Sequence, residues 1–134
     1  MKRIYNRIIL IDDDSTTNFY HKDLLHEIFP EVKIFVFENG NDFLDQLNSG
    51  KLNQYGGLKT LVLLDINMPD IWGLDLLNNL DEDYENIEYM DVIMVSSSKL
   101  KSDVEKSSRY NSVLGYLEKP LNVDKISSIL TTNS

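Results

Sequence analysis

The chain has 134 residues, 22 of them acidic and 13 basic, giving a net charge of −9 at pH 7 with 42% hydrophobic residues. That composition fits one folded domain with its own core and excludes a disordered segment. With no cysteine there is no disulfide framework, thiol nucleophile or cysteine-based metal site, and the acidic balance disfavours direct binding to nucleic acid.

From the amino terminus, the basic stretch 1–7 leads into a short apolar run at 8–11, which stops at three aspartates. That run is too short for a signal peptide, and none in the chain approaches the roughly 20 residues that span a bilayer. The expectation is a cytoplasmic protein without membrane attachment.

Apolar runs at 8–11, 32–37, 61–64, 92–95 and 113–117 are rich in Val, Ile and Leu and are bounded by Asp, Asn, Ser or Gly. They predict strands, and runs apolar at every position suit a parallel sheet covered on both faces. Helical spacing follows each run. Residues 15–29 place Tyr20, Leu24 and Ile28 on one stripe, with Asp14 or Ser15 as N-cap. Residues 41–48 carry Phe43, Leu44 and Leu47, residues 73–80 carry Leu74, Leu77 and Leu80, and residues 122–130 carry Val123, Ile126, Ile129 and Leu130. The segment at about 99–109 offers only Leu100 and Val104 as apolar anchors and is expected to be the most weakly docked helix. The connections 48–60 and 81–91 are expected to be surface loops, the second with a solvated acidic face. His21 and His26 are expected to be solvated and Trp72 to pack against a loop. Strict alternation of strand and helix predicts an α/β fold.

The polar residues are informative by position. Asp12, Asp13 and Asp14 follow the first strand, Asp65 the third, Ser96, Ser97 and Ser98 the fourth, and Lys119 with Pro120 the fifth. Parallel strands joined by right-handed crossovers end on one edge, so these groups converge on one cleft. Taken singly, each aspartate reads as a helix cap or turn former, and Ser96 or Lys119 as a loop residue. Jointly they describe a site. Carboxylates about 5 Å apart repel by roughly 3 kcal/mol per pair at an effective dielectric near 20. A hard cation relieves this, and oxygen-only ligands favour Mg2+. With a lysine ammonium and a serine hydroxyl opposite, the set suits phosphoryl transfer onto an aspartate.

The segments 9–15, 63–69 with Gly73, 92–97 and 115–120 resemble, in order and spacing, the receiver domain of two-component response regulators, over about residues 6–130. The resemblance implies a flavodoxin-like, doubly wound five-stranded parallel sheet in the order 2-1-3-4-5. Asp65 would be the phosphoacceptor, taking a phosphoryl group from a histidine kinase or phosphotransfer protein. Asp13 and Asp65, with the backbone carbonyl of Asn67, would hold Mg2+ directly, and Asp12 through a metal-bound water. Lys119 and Ser96 would contact the phosphoryl group, and Tyr116 would be the switch aromatic. Asn67 and Ser98 occupy positions resembling those that tune phosphate lifetime, and Asp14 is read as a helix cap.

The expectation is one receiver domain over 1–134, stand-alone and not an enzyme, acting as a monomer or weak phosphorylation-dependent dimer. Its partner-binding face would comprise the fourth helix, fifth strand and fifth helix. Two alternatives stand beside it. The segment 8–16 also fits the D-x-D-x-T signature of haloacid-dehalogenase-type phosphohydrolases, with Asp12 as nucleophile and Asp14 as acid/base. Asp65-Ile66-Asn67-Met68-Pro69 has no role in that reading. The other is a degenerate receiver that only binds partners.

Overall fold

The apolar runs fold as β1 (Arg7–Ile11), β2 (Lys33–Phe37), β3 (Thr60–Asp65), β4 (Met90–Ser96) and β5 (Val113–Glu118). In the computed structural model, which describes residues 3–53, 58–82, 88–98 and 100–131, these strands form one parallel sheet. Its order is β2-β1-β3-β4-β5, the doubly wound arrangement expected. Between and after the strands run α1 (Ser15–Ile28), α2 (Gly40–Asn48), α3 (Gly73–Asp81), α4 (Lys101–Ser107) and α5 (Val123–Leu130).

Side chains alternate across a sheet, and this alternation splits the core into two layers. Ile8 and Leu10 of β1, Leu61 and Leu63 of β3, and Ile93 and Val95 of β4 pack with Leu25 of α1 and Ile126 of α5. Ile9, Ile11, Val62, Leu64, Val92 and Met94 face the other way, toward Phe43 of α2 and Leu77 of α3. Burial on both faces is why the middles of the central strands are continuously apolar. β2 lies at the sheet edge, where Phe35 and Val36 are exposed and Lys33 Nζ sits 5.2 Å from the Phe35 ring centroid. A cation beside an exposed edge strand discourages pairing with another chain.

Several expectations change. The buried stripe of α1 is Asn18, His21, Leu24, Leu25 and Ile28, whereas Tyr20 lies off it, 45% exposed, with its hydroxyl donating to Leu121 O. In α4 the exposed Leu100 is only the N-cap, and the helix buries Asp103 and Ser107 while Val104 packs on the core. The first long connection contains a 3-10 turn at Lys51–Asn53 that buries Leu52. Of the acidic connection, residues 83–87 lie outside the described part, and its last residue, Asp91, is the second residue of β4 and is buried. Asp91 accepts a 2.8 Å hydrogen bond from the Tyr5 hydroxyl, with Arg3 and Lys59 within 3.6 and 3.4 Å. This neutralised cluster lies at the end of the sheet opposite the cleft, where a carboxylate is tolerable only because it is paired.

Candidate functional site

The register of β1 on β3 pairs Ile11 with Leu64, so Asp12 and Asp65 come next, side by side. Alternation carries both toward the α1 layer, continuing the Ile8–Leu10 and Leu61–Leu63 rows. Strand order reverses between these two strands, and open α/β sheets bind ligands at such a switch point. Asp12, Asp13 and Asp65 each offer a carboxylate oxygen within 4.8 Å of the others; Asp12 and Asp65 are buried and Asp13 is open to solvent. Lys119 enters from β5, its backbone N–H donating to Ser96 O, and the Lys119–Pro120 peptide is cis. Its ammonium donates to Asp12 Oδ2 at 2.7 Å and stands 3.7 Å from Asp65 Oδ1.

Asp65 is pushed up to about 6, first by burial and then by the charge of Asp12, while Lys119 and the Asn67 N–H oppose the rise. A cation in the cleft would relieve the repulsive part of that shift, so the all-oxygen donor set fits a hard divalent ion. Asp14 is not part of the cluster. Its Oδ1 accepts the N–H groups of Thr16 and Thr17, capping α1, and these bonds, that of Thr17 foremost, lower its pKa.

Behind the carboxylates the structure places two residues that the sequence reading left out of the site. His21 is buried, not solvated, and burial pushes it down to about 4 against the pull of Asp12. Asn18 is also buried and donates from Nδ2 to the backbone carbonyl of Asp12 at 2.7 Å. The spacing 18, 21, 25, 28 is a helical stripe, legible once polar residues are admitted to an interior face. His26 is exposed, as expected.

Ser96 and Tyr116 fall in the other layer. Ser96 is fully buried, and its hydroxyl donates to Ser98 O at 2.8 Å while accepting Ser98 N–H and, at 3.4 Å, Asn67 Nδ2. Tyr116 turns its ring into the core. Its hydroxyl makes no well-aligned hydrogen bond among the described residues; burial raises its pKa, and the neighbouring Ser96 hydroxyl opposes the rise. Asn67 and Ser98 stand exposed at the rim, and the Asn67 N–H donates to Asp65 Oδ1 at 3.3 Å.

A doubly wound sheet with an acidic cleft at its switch point is the arrangement expected of a receiver domain. Residues 8–131 match the response regulator receiver domain, and the chain belongs to that family. It is 28% identical over 123 residues to the chemotaxis protein CheY-3 of Vibrio cholerae, across 90% of this chain and 87% of that protein. It is 30% identical to the DNA-binding transcriptional regulator NtrC of Proteus hauseri, across 90% of this chain but 23% of that much longer protein. Two solved structures share the fold. A two-component response regulator from Cytophaga hutchinsonii has a TM-score of 0.77 at 24% identity, covering 95% of each chain. A receiver protein from Dyadobacter fermentans has a TM-score of 0.76 at 22% identity, covering 92% of this chain and 94% of that one. Among the described residues no helix is long and apolar enough to cross a membrane. The family match sets aside the phosphohydrolase alternative, and Asp14, its assigned acid/base, serves as the cap of α1.

Proposed function

We propose that this domain accepts a phosphoryl group on Asp65 from the phosphohistidine of a kinase or phosphotransfer protein. The observation that carries the reading is the gathering of Asp12, Asp13 and Asp65 within 4.8 Å under the Lys119 ammonium. An Asp65 oxygen attacks phosphorus, the phosphorus–nitrogen bond breaks, and the imidazole leaves with the bond's electron pair. No general base is needed at neutral pH, where Asp65 is ionised. Asp13, Asp65 and the Asn67 carbonyl would hold Mg2+, with Asp12 acting through a water. Bound there, Mg2+ supplies charge neutralisation for the incoming phosphoryl oxygens. Lys119 holds the transferred group from the opposite wall. Ser96 leaves its bond to Ser98 O and donates to a phosphoryl oxygen.

The added charge of about −1.5 to −2 would then bias the face formed by α4, β5 and α5 toward a downstream partner. Tyr116 belongs to that switch, and Asn67 and Ser98 set how readily water reaches the phosphoryl group. This signalling role is non-enzymatic and cytoplasmic, with protein partners and neither nucleic acid nor membrane. The domain would work as a monomer or a weak phosphorylation-dependent dimer.

The test is incubation with Mg2+ and acetyl phosphate, read by intact mass. The wild type should gain one phosphoryl group and Asp65→Asn none. Incorporation by that variant would move the acceptor elsewhere, and none in the wild type would favour the degenerate reading. Calorimetric titration with Mg2+ should show weak binding that Asp13→Asn abolishes.

A further inference from the structure

A groove of about 560 Å³ runs between α3 and the end of α4, away from the acidic cleft. Trp72, the chain's single tryptophan, lies at one end and is 38% exposed. Lys106 Nζ sits 5.4 Å from the Trp72 ring centroid, and Arg109 lines the same wall. Tyr110 crosses from α4's side to α3, its hydroxyl donating to Asn78 Oδ1 at 3.1 Å, which holds the two walls in place. The arrangement combines an aromatic surface with two cations that have no carboxylate within 4 Å among the described residues. Among the described residues, Asp75 is the one acid lining it. In a chain of net charge −9, that local excess of positive charge is unusual.

We infer that this groove is a docking site for a short acidic segment of a partner protein that carries an apolar side chain. The apolar residue packs on the Trp72 face, and flanking carboxylates take the Lys106 and Arg109 charges. Screening explains how an acidic domain can bind an acidic segment. At physiological salt the Debye length is about 8 Å, so carboxylates inside the groove feel the adjacent cations more than the distant surface. Backbone contacts link the Trp72 end of the groove to the segment that follows the acceptor. Trp72 pairs across an antiparallel bridge with Asn67, and the next residue, Gly73, donates its N–H to Ile66 O at 2.7 Å.

Trp72 makes its own reporter. The probe is a synthetic peptide of alternating Glu and Ser around one central Leu, with a Lys-for-Glu peptide as control. The acidic peptide should shift Trp72 emission saturably, and the control should not. Lys106→Glu with Arg109→Glu, both exposed and therefore compatible with folding, should weaken the acidic peptide at least about tenfold. Asp75→Asn should tighten it. Asp65→Asn should bind like the wild type, so this result stands or falls separately from the phosphoacceptor reading. A shift that fails to saturate, that the basic control reproduces, that appears on concentrating the protein alone, or that survives the double charge reversal would overturn the proposal.

Discussion

Lys119 is paired with Asp12: its Nζ donates to Asp12 Oδ2 at 2.7 Å, and the side chains are 19% and 5% exposed. Asp65 lies a further ångström away from the same ammonium, at 3.7 Å. Among the described residues, the lysine is therefore the one cation paired with the carboxylate cluster, reaching Asp12 and Asp65.

Its removal has a consequence that metal should reverse. Lys119→Ala leaves the buried Asp12 without its cationic partner, a loss of roughly 1–3 kcal/mol in chelator. Urea unfolding should show that loss, and saturating Mg2+ should recover part of it. The variant should still take phosphate from acetyl phosphate yet switch its downstream partner poorly. Normal partner switching by Lys119→Ala would remove the lysine from the output step.

The metal-free domain should conceal two opposed titrations. Asp65 rises from 3.8 to about 6, so between those values the folded state holds a proton that the unfolded chain lacks, and this contribution gains stability as pH falls. His21 drops from 6.5 to about 4, so the unfolded chain holds the extra proton, and this contribution loses stability over nearly the same range. Each slope approaches about 1.4 kcal/mol per pH unit at most, and the two nearly cancel. In chelator, His21→Gln should become more stable relative to wild type as pH falls from 6.5 to 4, and Asp65→Asn less stable from 6 to 3.8. Parallel stability curves for all three proteins would contradict this account.

Gly73 is required by close approach. A Cβ there would lie 2.6 Å from Ile66 Cα and 2.7 Å from Asp65 O, both backbone atoms that cannot swing aside. Gly73→Ala should cost about 1–3 kcal/mol in urea unfolding. Because the clash falls on the acceptor residue itself, it should also slow phosphate incorporation. A substitution at the exposed Asn79, further along the same helix, should do neither.

The Tyr116 ring and its hydroxyl should separate by mutation. The ring is buried in the layer that contains Val104 and Met94, whereas the hydroxyl is buried without a formed bond among the described residues. Tyr116→Phe should be neutral or stabilising by up to ~1 kcal/mol, since it removes an unpaired polar group. Tyr116→Ala should lose about 3–5 kcal/mol through the cavity. Both are read by thermal or urea unfolding. A large loss in the Phe variant would mean that the hydroxyl is bonded in solution.

Much of this molecule follows from local chemistry in the chain. Period and apolarity mark five strands and five helices, and chirality of the crossovers brings the residues after β1, β3, β4 and β5 to one edge. Alternation also puts Asp12 and Asp65 in line with the core rows of their own strands, and the β1–β3 register then sets them side by side, still buried. Charge repulsion between those neighbours then implies a cation before any fold is drawn.

Tertiary packing decided what pattern alone left open. Which face of α1 turns inward was settled by the cleft beneath it, which takes Asn18 and His21 and leaves Tyr20 outside. Leu100 stays exposed because α4 begins just after it and docks instead through Val104, Asp103 and Ser107. Lys119 chose Asp12 over Asp65 by distance, a matter of ångströms set by where β5 ends. Periodicity depends on neighbours along the chain and can be counted; burial of a polar group depends on partners brought from afar, which no local count contains.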